Sequence, residues 1–236
     1  MRSRELTFLL VITVILITGF SLTGVDRVKL SMFSQSLQDG KAASLEAILY
    51  YQSLDGRLIT KFVDPLDHIM VTNRHGELTV YDPAENTVYR RQSLEYSSEN
   101  NLVYFFLHGK TRDLGLRDMG FIQTRTDFEE ELMVSRWEPP ASLGHLFSHI
   151  QLVHEDYMPV YAGYYDASGE LVKKVYYSDY RVFPDLILPM RITEFNYLPD
   201  GDSIINRVRF SDVRINRRAE SEWFDFEIPD DATIID

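Results

Sequence analysis

The groups in this 236-residue chain that could do chemistry near neutral pH are six histidines and 36 aspartates and glutamates, because cysteine is absent. Without cysteine there is no disulfide, thiolate nucleophile, thiolate metal site or lipid-modified N-terminal cysteine. His145, His149 and His154 are the best metal candidates. The first two stand four residues apart, and a helix there would put them on one face near a carboxylate from Glu155 or Asp156. Two histidines on a surface helix are also an ordinary arrangement, and no metal is assigned to them. The acidic runs Glu129-Glu130-Glu131 and Asp230-Asp231 read as solvated edges or termini in preference to acid/base pairs. There is no glycine-rich phosphate loop, no G-x-S-x-G elbow and no H-E-x-x-H helix. The expectation is a binding protein, not an enzyme, with no catalytic residue and no cofactor.

Charge and the N-terminus narrow where it works. Acids outnumber bases 36 to 24, a net of -12, which argues against a general binder of nucleic acid or anionic membranes. With 44% hydrophobic and 13% aromatic residues the chain can bury a full core. Arg2 and Arg4 precede an uncharged run from Leu6 to Val25, long enough to enter or cross a bilayer. Residues 1–25 are therefore expected to be a signal peptide, cleaved near Gly19 or Ser21, or a retained anchor whose positive flank stays cytoplasmic. In either case the remainder, 26–236, is exported and reads as one domain.

The elements that must position any site are mostly strands. Val28, Leu30 and Met32 alternate, Asp39-Gly40 offers a turn, and Leu45, Ala47, Leu49 and Tyr51 alternate after it. Further strands are expected over 58–63, 68–72, 77–81, 130–137, 160–165, 171–177, 190–197, 204–213 and 223–228, in an antiparallel meander. Helices are few. One should follow a cap at Ser97-Ser98, with Leu102, Phe105 and Phe106 on one face and Gly109 as its stop; others are expected over 112–119 and 142–151. Runs such as Ile48 to Tyr51 and Val175 to Tyr177 are apolar on both faces, so something should cover each face of the sheet. Fourteen Tyr, fourteen Phe and two Trp suit either a large sandwich core or an apolar ligand cavity.

Two stretches carry a family resemblance. Val63-Asp64-Pro65, His68 to Asn73, Gly76 to Pro83 and Asn86-Thr87-Val88 resemble the signature segment of the LolA-like periplasmic lipoprotein carriers. Leu188 to Ile192, Phe210-Ser211-Asp212-Val213, Asn216 and Phe224 to Pro229 resemble the closing strands of the broader outer-membrane lipoprotein-sorting family. Thr79 stands where the family usually carries Trp, and Arg57 lies near the place of its Arg-Pro pair without the proline.

The resemblance implies a mainly β fold with a few helices (α+β): an open, strongly curved antiparallel sheet, an unclosed β-barrel, whose apolar face is covered by a helical lid. It implies a periplasmic carrier or binder of lipid-modified proteins or lipids, trafficking acyl chains toward the outer membrane. The alternative is a membrane-anchored sensor, regulator or transporter-accessory module. The expected partners are an acylated lipoprotein or lipid and an inner-membrane transporter, with no nucleic acid. The lid and one face of the central strands give the expected lipid contacts: Leu49, Tyr51, Ile69, Val71, Leu78, Val80, Phe105, Phe106, Leu132 and Val134.

Overall fold

Alternation of small and apolar residues against polar ones builds the first hairpin, β1 (Arg27–Gln38) and β2 (Lys41–Gln52). Its two-residue connection, Asp39-Gly40, has φ of 50° and 70°, the left-handed pair that matches the twist of paired strands. Pairing then runs unbroken from Gln38 opposite Lys41 to Arg27 opposite Gln52. The computed structural model describes residues 24–100 and 102–235; the expected membrane segment lies, up to residue 23, outside them. Among the described residues no helix is long and apolar enough to cross a membrane.

The meander continues through β3 (Arg57–Asp64), β4 (Ile69–Thr72), β5 (Glu77–Asp82) and β6 (Thr87–Gln92). After 3-10 turns the chain forms one short helix, α1 (Leu102–Leu107). It resumes as β7 (Ile122–Glu129), β8 (Leu132–Glu138), β9 (Phe147–Glu155), β10 (Met158–Asp166), β11 (Leu171–Phe183), β12 (Leu186–Tyr197) and β13 (Ser203–Ile215). A tail with two 3-10 turns ends in β14 (Thr233–Ile235). The 14 strands make one sheet ordered β14-β6-β5-β4-β3-β2-β1-β13-β12-β11-β10-β9-β8-β7. Neighbours are antiparallel except β14, which runs parallel to β6. In that order the edges, β14 and β7, are not neighbours, so the sheet is open.

The sheet curls. Seven places separate β2 from β8 in its order, about 34 Å in a flat sheet, yet Leu49 of β2 and Trp137 of β8 belong to one buried cluster. That cluster occupies the inner face together with α1. On the outer face a second cluster joins Tyr50, Ile59, Ile69, Tyr81 and Val88 of the first half to Ala219 and Phe224 of the tail.

Three expectations are corrected. Residues 142–151 are turns followed by the start of β9, and 112–119 are the end of a 3-10 turn and further turns. Trp223 to Ile228 is no strand: it starts inside the 3-10 turn Glu222–Asp225 and lies across the sheet instead of in it, because its aromatic residues face down onto Tyr50 and Tyr81.

Candidate functional site

The inner face carries the larger of the two buried clusters of the described residues, and α1 covers it together with Leu114, Leu116 and Phe121 of the turns that follow. Val103, Tyr104 and Phe106 are buried on that face. The Phe106 ring lies 6.4 Å from Tyr177 and 6.0 Å from Tyr180. Phe105 covers Gly115: a Cβ there would lie 2.6 Å from the ring, and the residue's φ of +79° also calls for glycine. At six residues α1 is too short to hold itself, so its helicity derives from these contacts. Two polar links add to them. Tyr51 Oη and His108 Nε2 are 3.1 Å apart, and His154 Nε2 lies 2.9 Å from the Thr111 carbonyl just beyond the helix.

The tyrosines of this face remain neutral. Burial pushes Tyr51 and Tyr164 up to about 12, and drives Tyr177 and Tyr180 up further. Burial also lowers His108 and His154, so both are held as neutral imidazoles. Charge on the inner face gathers away from α1, where Lys173 Nζ meets Glu194 at 2.7 Å and the amides of Asn196 and Asn206 donate to the same carboxylate. Burial alone would raise the Glu194 carboxyl, but Lys173 and the amide donors hold it below the usual carboxylate range. The surface under the helix is thus lined by aliphatic and aromatic side chains together with neutral phenol and imidazole groups.

The structure brings together only part of the expected contact set. Leu49, Tyr51 and Phe106 lie in the inner cluster with Phe105 packed against it. Leu78 and Val80 share that face through their pairing with Thr72 and Met70, farther toward the β14 edge. Ile69 and Val71 belong to the outer cluster. Leu132 and Val134 alternate with inward Ser135 and Trp137 and so face outward. The reason is parity: a strand's inward set is odd or even by its own register, and a loop does not transmit the choice from one strand to the next. Trp137, Tyr177, Leu188 and Met190, outside the expected set, lie on the same inner face, each inward in the alternation of its own strand.

The histidine set does not converge. His145 is exposed on a turn, His149 stacks on Tyr165 with ring centroids 4.2 Å apart, and His154 is buried on the inner face. Within a strand, positions five apart point to opposite faces, which separates His149 from His154. Among the described residues no group of three or more His, Asp or Glu has the arrangement of a metal site. Arg57 and Thr79 line an outer groove of about 470 Å³, and the Arg57 guanidinium donates to the Phe226 carbonyl, tying down the tail.

No family model matches the sequence, and no curated protein does so either. Solved structures do match its fold. A DUF1329 family protein from Desulfovibrio piger superposes with a TM-score of 0.59 at 16% identity, over 86% of this chain and 90% of that one. A domain described as an outer membrane lipoprotein-sorting protein, from Vibrio parahaemolyticus, gives 0.59 at 14%, with the same coverage. A LolA superfamily protein from Nitrosomonas europaea gives 0.54 at 13%, over 81% and 86%. An open sheet curled around one apolar face, matched to these three over most of each chain, is the LolA-like fold.

Proposed function

We propose that this domain is a periplasmic binder or carrier of lipids or lipid-modified proteins, with α1 as a displaceable lid over the acyl-binding inner face. The observation that carries the reading is the closure itself: an aromatic and aliphatic face, with its one ion pair, Lys173–Glu194, set away from α1, is covered by a six-residue helix and the turns that follow it instead of by a second sheet. The likeness to lipoprotein-sorting and LolA superfamily structures supports the same class of ligand. In the closed state side chains of the lid fill the face, so a ligand enters by moving α1. An acyl chain contributes about 0.8 kcal/mol per buried methylene, so some ten methylenes supply about 8 kcal/mol toward that displacement. The proposed contacts are Leu49, Tyr51, Leu78, Val80, Phe105 and Phe106 from the expected set, with Trp137, Tyr177, Leu188 and Met190 added.

No covalent step is involved, and exchange with a membrane-bound donor is driven by the same apolar transfer in both directions. If residues 6–25 are retained, the domain works as an anchored module beside its membrane; if they are cleaved, it can shuttle. Phe106→Asp is expected to abolish retention of a fluorescent acyl probe, because it places a carboxylate where the chain would lie. Retention unchanged by that substitution in a folded protein would overturn the assignment of the lid.

A further inference from the structure

The chain joins the sheet at a fixed point on its rim. Asn216 clasps the first described residues: its Oδ1 accepts from the backbone N–H groups of Asp26 at 2.8 Å and Arg27 at 3.3 Å, while its Nδ2 donates to the Gly24 carbonyl at 3.2 Å. The covalent continuation toward the N-terminus therefore starts at this end of β1, and the sequence just before it, Leu6 to Thr23, is uncharged and rich in branched apolar residues.

One groove on the same rim gathers bases. A groove of about 490 Å³ beside Asn216 is lined by Arg214, Arg217 and Arg218 against a single acid, Asp185. All three arginines are exposed and make no ion pair among the described residues. In a chain with 36 acids to 24 bases the groove is thus locally basic, while exposed Asp26 and Asp55 stand elsewhere on the rim. The groove also holds Phe183, Val213 and Ile215, and next to it Val182 is 79% exposed. On the β2–β3 turn, which meets the same end through Ser53 and Asp26, Leu54 is 85% exposed. Arginines beside solvated aliphatic tips form the composition of a surface that lies at a bilayer interface.

We propose that this rim docks on an anionic phospholipid surface, with Arg214, Arg217 and Arg218 on headgroup phosphates and Val182 and Leu54 dipping below them. Charge complementarity and the place where the apolar N-terminal run begins both point to this occupant. The overall negative charge does not oppose it. Charges farther than about 8 Å from the lipid are largely screened, and the far ends of β11 and β13 lie roughly 40 Å away along 13-residue strands. The inference stands whether or not the inner face takes an acyl chain.

Because cysteine is absent, single introduced thiols report position cleanly. The full chain carries an environment-sensitive fluorophore at Val182→Cys or, at the opposite end of the sheet, at Ala167→Cys. It is mixed with phosphatidylcholine vesicles with and without phosphatidylglycerol. The expected result is a blue shift at position 182 that needs phosphatidylglycerol, reverses in high salt and is lost when Arg214→Glu, Arg217→Glu and Arg218→Glu are combined; position 167 stays unshifted. The milder pair Arg217→Gln and Arg218→Gln, at exposed positions, is expected to weaken the shift if the triple variant folds poorly. Equal shifts at both ends, or a shift at 182 that ignores lipid charge and the arginines, would overturn the proposal as non-specific lipid contact; no shift at 182 would overturn it and leave an acidic protein as the partner for this rim.

Discussion

Two apolar faces of one sheet are closed in different ways. On the outer face the tail lays Trp223, Phe224 and Phe226 over Tyr50 and Tyr81, with Trp223 stacked on Phe226 at 5.3 Å and on Tyr50 at 6.1 Å. This cover is tied to the sheet at both ends: Asn216 clasps the start of β1, and β14 pairs with β6 through Thr233, Ile234 and Ile235. On the inner face α1 itself is tied by no strand pairing; packing, the Tyr51–His108 contact and the His154–Thr111 hydrogen bond hold it, and only its approach is pinned, by the Ser98 N–H donating to the Asn73 carbonyl at 3.0 Å. Both covers bury aromatic rings, so burial alone does not separate them. Attachment does: a cover hydrogen-bonded into the sheet opens only with the sheet, whereas one held by side chains can open locally.

Truncating one ring on each cover tests that difference most strongly. Phe224→Ala is expected to cost about 4 kcal/mol in urea unfolding, since the tied tail cannot collapse into the hole, and to leave acyl-probe binding unchanged. Phe106→Ala, equally buried, is expected to cost only about 2 kcal/mol because α1 can resettle, and to speed release of the probe. Equal stability losses with no effect on the probe would erase the contrast.

A smaller effect comes from His154, whose pKa is lowered by burial despite the hydrogen bond to Thr111. The unfolded chain then binds a proton that the folded chain refuses, so stability is full above about pH 6.5 and falls as the pH drops toward the folded value. His108 and His149 are lowered too, mainly by burial, and add to the same slope. Comparing urea midpoints at about pH 7.5 and 5.5, His154→Gln should show a shallower loss than the parent. An unchanged slope would remove His154 from the attachment of the segment that follows α1. The smallest effect is expected from Lys61→Met on the outer cover: Lys61 Nζ sits 4.2 Å from the Trp223 ring centroid, and losing that contact should cost about 0.5–1 kcal/mol in the same assay.

The contrast between the faces was only half legible in the sequence. The β1–β2 hairpin could be read because alternation and the Asp39-Gly40 turn agree, and the place of α1 because a helical period precedes Gly109, although Ser97 caps the 3-10 turn before it and the helix buries Val103, Tyr104 and Phe106, leaving Leu102 and Phe105 only partly buried. Residues 142–151 misled because Leu143, Leu146, Phe147 and Ile150 also fall at that period, although three of them belong to a turn and the first residue of β9. Strand β7 was invisible: almost every side chain of Ile122–Glu129 is exposed, so no burial pattern marked it. The tail's Trp and Phe residues alternate like a strand, and only their partners on β2 and β5 show that they cover the sheet. Facing could not be read for β4 and β8, since one residue of register moves a whole strand's side chains to the other side.

The central claim is that the inner face takes an acyl chain by displacing α1. Native mass spectrometry with lipid extraction, on residues 24–236 exported to a bacterial periplasm and purified without detergent, tests it most directly. The expected result is a bound acyl species in defined ratio that is absent from Phe106→Asp and retained in Phe224→Ala. A clean apo mass for the parent, repeated after incubation with lipid vesicles, would contradict the claim and leave α1 as permanent core.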